Sequence, residues 1–256
     1  MLKQFLGAVR AYGQAFNIII ENRLWGYFFF PVLLFILLLI GGTAVIDSIS
    51  DQLQGYVISW IGINKANSEV SAALHFIISI GLRIIFFFVY SAILKYLVLI
   101  LLSPVLALLS ERIDEIITGR KYTFNPLQLL KDALRGSLIA FRNMLIQFAL
   151  IICCFGLMMV PLLGWLAPVF LAVINYYFYG FAMIDYTNER YKMSISGSIA
   201  FVKKNKGLAI GNGFIFALFF AIPFAGVIVA PILSVIAATI VAVEAHKDQN
   251  EVYAKN

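Results

Sequence analysis

Residues 24–46 read LWGYFFFPVLLFILLLIGGTAVI, 23 positions without one charged side chain. As a helix this stretch rises about 35 Å, enough to cross a hydrocarbon layer of roughly 30 Å. The rest of the chain carries the same bias: 62% of its 256 residues are apolar and 12% are charged, about half the charged fraction of an ordinary soluble domain. Nineteen Lys and Arg with thirteen Asp and Glu are too few to coat a globular surface of this size. The apolar residues fall in long blocks between short charged stretches, which reads as one helical membrane domain with no room for a soluble enzyme.

Towards the amino end, residues 2–21 have helical periodicity. Leu2, Phe5, Val9, Tyr12, Phe16, Ile19 and Ile20 share one face, and Lys3, Arg10, Gln14, Asn17 and Glu21 the other. The expectation is an interfacial helix on the membrane, with packing on other protein helices as the alternative. Towards the carboxyl end, residues 47–71, with Asp47, Asp51, Glu69 and Lys65, form a loop. Residues 72–102 make a second crossing, about ten residues longer than the bilayer core needs. Arg83 and Lys95 lie about 18 Å apart within it; both can snorkel, and Arg83 can instead serve an ion pathway or a contact between helices. Ser103 and Pro104 resemble a helix start and Gly119 a stop. This predicts a separate surface helix, residues 103–119, with Leu106, Leu109, Ile113, Ile116 and Ile117 facing inward and Glu111, Asp114 and Glu115 on a solvated face.

The second half repeats itself. GSLIAF at residues 136–141 recurs, one residue shorter, as GSIAF at 197–201. Arg142 and Asn143 follow the first copy; Lys203, Lys204 and Asn205 follow the second. An apolar run and a breaker cluster come next, first Pro161, Gly164 and Pro168, then Pro223, Gly226 and Pro231. An offset of 60–63 residues is long enough for one helix pair, so residues 136–184 and 197–244 read as two copies of a helical hairpin. The arms following the duplicated segment are short, at 17 residues for 144–160 and 15 for 208–222. A tip of proline and glycine leaves backbone groups that lipid cannot satisfy, so it must reach water or be buried in protein. Six complete crossings, or two crossings plus two partly penetrating hairpins, both remain open, and the short arms favour the second. Paired interrupted segments of this kind also point to a transporter's substrate path.

Other chemistry is sparse. Cys153 and Cys154 are adjacent in an apolar run and read as packing residues. His75 and His246 stand far apart without nucleophile or metal-ligand spacing, and no phosphate-binding glycine loop is present, so no enzyme, metal or cofactor is implied. The net charge of +6 is spread over short loops without interleaved aromatics, which favours lipid headgroups over nucleic acid. Tyr176, Tyr177, Tyr179 and Tyr186 read as an interface belt, and residues 185–206 as a charged cytoplasmic connector, a lipid-facing or salt-bridged loop more than a catalytic site.

These residues resemble the CysZ sulfate permeases of the etoposide-induced-protein (CysZ-like) domain family. The likeness lies in Phe30-Pro31 of the first crossing, Ser103-Pro104 through Glu111 to Thr118-Gly119, Asp185-Tyr186, Ile222-Pro223, and Pro231 with Ala237 to Thr239. The resemblance implies an all-α inner-membrane protein filling residues 1–256 as a single domain. It has two long transmembrane helices, two partly penetrating helical hairpins and amphipathic surface helices, in a homo-oligomer built from dimers that admits sulfate for cysteine synthesis. The family's proposed sulfate motif, glycine, an aliphatic residue and arginine, aligns with Arg23-Leu24-Trp25-Gly26, where glycine and arginine have changed places. Arg23, Leu24 and Gly26 are therefore the candidate anion site, with Arg83 a second. The alternative is a non-transporting protein that organises lipids or partner proteins.

Counting Lys and Arg gives three in residues 1–23, one in 47–71, six in 103–143, five in 185–207 and two in 245–256. The loop with one cation belongs outside and the others, with both termini, in the cytoplasm. In a chain lacking Cys153 and Cys154, single cysteines at Asn67 and Lys121 will react with an impermeant maleimide from opposite sides. Reaction of both from the same side contradicts this topology.

Overall fold

The computed structural model describes residues 1–62, 68–122, 126–158, 164–222 and 225–254. Among these the chain is all α-helix, with helices α1 (Leu2–Glu21), α2 (Phe29–Ile61), α3 (Ser68–Thr118), α4 (Pro126–Met158), α5 (Ala167–Arg190), α6 (Ile195–Lys204), α7 (Lys206–Phe220) and α8 (Ala225–Ala254). Five helical stretches among them are long and apolar enough to cross a membrane: Leu24–Ile61, Glu69–Phe87, Leu134–Cys154, Gly164–Arg190 and Ala225–Asp248. The chain divides into two compact units, Val32–Val98 forming one and Met1–Pro31 with Leu99–Asn256 the other.

The smaller unit is the α2–α3 hairpin. Pro31 is the third residue of α2, and its fixed φ suits the first turn of a helix. The apolar helix runs on past residue 46 to Ile61 and ends on Gly62, whose φ of 72° is the left-handed helix stop that glycine adopts without strain. Much of the segment expected to be a loop is therefore helical. The Tyr90 ring lies over Gly42 and its hydroxyl donates to the Leu38 carbonyl at 2.6 Å. Leu37, Ile40, Phe76 and Ile77 stay exposed in the chain, as lipid-facing side chains do.

Helix α3 corrects a second expectation. Ser103 and Pro104 do not start a new helix; α3 continues through them to Thr118. Pro104 forfeits one backbone hydrogen bond, at about 3 kcal/mol. Leu102, Leu106, Leu109 and Ile113 form one buried stripe across it, and each buried side chain contributes about 1.5–3 kcal/mol, so packing outweighs the break. The expected solvated face is also partly interior, because Asp114 is fully buried.

The larger unit is built by close helix approach. Helix α7 packs on α1, α5 and α8. A Cβ on Gly213 would fall on the Tyr176 carbonyl of α5, and one on Gly180 of α5 on the Ala209 carbonyl of α7, so the two backbones touch where only hydrogen fits. On the opposite side Gly211 sits 2.6 Å, measured from its virtual Cβ, from the Phe5 carbonyl of α1. Helix α1 therefore packs on protein through Ala8, Ala11, Tyr12, Ala15 and Ile19, while Leu2, Phe16 and Ile20 of the expected membrane side remain exposed. Small residues set that contact, and the helical wheel of large side chains did not register them. Tyr12 donates to the Asn212 carbonyl at 2.8 Å, and the Asn212 amide exchanges hydrogen bonds with Ser234 of α8, locking α1, α7 and α8 at one buried point.

The two repeats differ. The first is the long pair α4 and α5; the second breaks at Asn205 into α6 and α7 before α8 returns. Pro168 stands in the first turn of α5, whereas Pro231 lies inside α8. The tips at Pro161 and Pro223 lie outside the described residues. Gly213→Ala will destabilise the protein by about 1–3 kcal/mol through overpacking. Gly13→Ala, where a Cβ meets nothing, will be neutral or stabilising. Thermal unfolding in detergent measures both, and equal melting temperatures would contradict the close α5–α7 approach.

Candidate anion site and buried charge cluster

Arg23 joins α1 to a short 3-10 turn, Leu24–Phe28. Its φ of 52° and ψ of 43° place a non-glycine residue in the left-handed region, a conformation that costs free energy and persists only where neighbours hold it. Leu24 supplies that hold: it is buried, and its turn packs on α1 and α8. The Arg23 side chain is exposed, with no ion pair among the described residues. Gly26, three residues on, is exposed and has open space where a Cβ would stand, so its backbone is accessible. The three residues of the rearranged motif thus form one feature: a buried leucine anchor with an arginine and a bare backbone at the surface.

Arg83 belongs to the smaller unit and its charge is already matched. Its Nε and Nη2 lie 3.0 Å from Asp47 and Asp51 of α2, and Nη1 donates to Ser79 at 2.7 Å. The spacing of Asp47 and Asp51, one helical turn, presents both carboxylates to one guanidinium. This is the contact between helices that the sequence allowed as one reading of Arg83. Of the hairpin-tip residues, Gly164 opens a 3-10 turn and Pro168 is exposed. Gly226 is buried, and a Cβ on it would sit 2.4 Å from the Phe219 carbonyl of α7 were it present, so it serves the α7–α8 turn.

The main polar site lies in the stretch that the sequence marked as a lipid-facing or salt-bridged connector, and its partners were not named there. Residues 185–190, expected to begin a connector, are the last turns of α5 and largely interior. Arg135 of α4 reaches Asp185 and Glu189, each at 3.3 Å, and its Nη2 donates to the Met193 carbonyl at 3.2 Å. Arg190 pairs with Glu111 of α3 at 3.2 Å. Ser198, the second residue of the duplicated GS pair, donates to Asp185 and accepts from the Asn188 amide at 2.9 Å. Asn188 Oδ1 lies 2.9 Å from His246 Nε2, which makes His246 an interior residue of α8. Its ring is stacked between Tyr191 and Phe201, both at 4.2 Å, and Arg120 covers the far side of Tyr191. Tyr186, assigned to an interface belt, is buried beside this cluster; Tyr176, Tyr177 and Tyr179 are half-buried. The only available sequence signal was the four-residue spacing of Asp185 and Glu189 on a helix, facing the basic residue just before GSLIAF.

At the rim, Asp114 accepts from the Tyr122 hydroxyl at 2.5 Å. Burial, then the Asp114 carboxylate, pushes the Tyr122 hydroxyl up to about 12. The Tyr122 backbone N–H, then the Arg112 guanidinium, hold Glu115 below the usual carboxylate range. That stabilisation is present above the ordinary carboxylate range and is lost as pH falls through the depressed value.

A family model described as sulfate transporter CysZ/etoposide-induced protein 2.4 matches residues 11–231. The chain belongs to this family. Its relatives include the sulfate transporter CysZ of Vibrio parahaemolyticus serotype O3:K6 (strain RIMD 2210633), 25% identical over 199 residues that cover 77% of this chain and 78% of the relative. Another is the sulfate transporter CysZ of Vibrio atlanticus (strain LGP32), 25% identical over 215 residues, 83% of this chain and 82% of the relative. With five helical stretches able to span a bilayer, this CysZ-family chain is a multi-pass membrane protein.

Removing one partner of a buried ion pair leaves the others uncompensated. Arg135→Ala will cost about 3–5 kcal/mol of stability. Arg112→Ala, which breaks an exposed pair with Glu115, will cost under about 1 kcal/mol. Denaturant titration of the two variants checks the ranking, and an equal loss would contradict a structural role for the cluster.

Proposed function

We propose that this chain is a sulfate permease of the inner membrane, passing sulfate or a related small oxyanion into the cytoplasm for cysteine synthesis. Membership of a family whose matched relatives are named sulfate transporters carries this reading. Arg23, Leu24 and Gly26 support an entry site. An exposed guanidinium without a competing carboxylate among the described residues, beside an accessible backbone, suits a tetrahedral dianion that accepts hydrogen bonds on every side. Arg83, matched by two carboxylates, has no part in it. The chain has no phosphate-binding loop, so flow is passive or ion-coupled.

The loop charges support cytoplasmic termini, and the family resemblance supports an oligomer built from dimers. Helix α7 has 15 residues and rises about 22 Å, short of the bilayer's hydrocarbon thickness, which supports partial entry for the second hairpin. A non-transporting role in organising lipids would draw instead on the exposed apolar side of α1.

Calorimetry with sulfate on purified protein tests the site. Arg23→Ala will weaken binding by about 1.5–3 kcal/mol, and Arg23→Lys will recover part of it because an ammonium lacks the guanidinium fork. Lys3→Ala will leave affinity unchanged. Parent-like affinity in a folded Arg23→Ala variant removes Arg23 from the site, and a parent that binds no sulfate favours the lipid-organising role.

A further inference from the structure

The first hairpin holds a polar row that the ion-pair cluster does not account for. Arg135, Ile139, Asn143 and Gln147 recur every four residues along α4, so they share one face, and Ile139, Asn143 and Gln147 are all buried. At the far end of the row two amides are linked. Gln147 donates to Asn175 Oδ1 of α5, and Asn175 donates to the Leu171 carbonyl at 2.9 Å. Asn143 differs. Its Oδ1 accepts from Arg142 Nη1 at 3.2 Å, whereas its buried Nδ2 donor has no hydrogen-bond partner among the described residues. Arg142 also fixes the amide's orientation, because the flipped amide would set two donors face to face.

The repeat supplies a comparison within the same chain. Asn205 takes the corresponding place after the second GS segment, and it is fully used. Its Nδ2 donates to the Phe201 carbonyl at 3.1 Å and its Oδ1 accepts from Gln4 of α1, also at 3.1 Å. Helix α1 packs on α7 and α8. The asparagine that follows each GS segment is therefore a structural tie in one copy and, in the other, a buried N–H donor beside a guanidinium and without an acceptor among the described residues. A buried donor left unpaired destabilises the fold, so an acceptor-only ligand is the natural complement. A tetrahedral oxyanion meets a neutral amide and one arginine without an excess of fixed positive charge that would trap it.

We propose that the Asn143 amide, with the Arg142 guanidinium beside it, is a second station for the tetrahedral oxyanion, on the α4–α5 hairpin and separate from Arg23. The inference rests on the transport reading above. A lipid phosphate has the same chemistry as free sulfate, and the test separates them.

Asn143→Leu removes the donor at similar volume. Radiolabelled sulfate uptake into proteoliposomes will fall at least tenfold, and the rise in melting temperature that sulfate gives the parent will disappear. The melting temperature without sulfate will hold or rise, because the unpaired donor is gone. Asn143→Asp, which pairs with Arg142 and repels the dianion, will also abolish uptake and covers the case in which the leucine variant fails to fold. Parent-like uptake in Asn143→Leu overturns the proposal and leaves the transport reading standing. Absence of uptake in the parent overturns both. Stabilisation of the parent by phosphatidylglycerol vesicles but not by sulfate, lost in Asn143→Leu, overturns the sulfate station in favour of a headgroup seat.

Discussion

One guanidinium, that of Arg135, must find two carboxylates away from water, and the larger unit is organised around that requirement. Its partners Asp185 and Glu189 lie one turn apart at the end of α5, so α4 can approach only in the register that brings Arg135 between them. The next residue, Arg190, ties the same turn to Glu111 of α3, and Asn188 ties it to Ser198 of α6 and His246 of α8. Helices α3, α4, α6 and α8 are thus referenced to four residues of α5, Asp185, Asn188, Glu189 and Arg190. Such pairs add little net stability over apolar packing, since desolvation offsets their attraction, but breaking one leaves a buried charge. Their effect is to specify register among helices whose apolar surfaces alone would slide.

The duplicated hairpin shows how one motif takes on two tasks. In the second copy α1 covers α7 and α8, and 89% of the apolar window in α8 is buried in the chain. In the first copy the corresponding shares are 24% for α4 and 28% for α5. The covered copy spends its asparagine on Gln4 and the Phe201 carbonyl; the uncovered copy leaves Asn143 with a donor in hand.

Composition and periodicity made the class legible: an all-α membrane protein with several helices long and apolar enough to cross a bilayer. Local signals failed where tertiary packing overrode them. Ser103 and Pro104 carry a strong start signal, yet the buried stripe from Leu102 to Ile113 runs through them. Helix α1 has its large apolar side chains where the wheel puts them, but close contact is made by Ala8, Ala11 and Ala15, which hydrophobicity barely marks. Asp114 looked solvated, and Asp185 and Glu189 had no named partners, because Tyr122 and Arg135 stand 8 to 54 positions away from them. Arg23 and Gly26 were visible only through resemblance to a motif whose order is changed here.

Passage of sulfate across a bilayer through this chain is the property on which the proposed function rests. Purified protein reconstituted into liposomes, given an inward sulfate gradient and assayed with radiolabelled sulfate, tests that directly. Saturable uptake well above that of protein-free liposomes is the predicted result. Uptake no faster than through lipid alone, from protein shown to be folded and inserted, would contradict it.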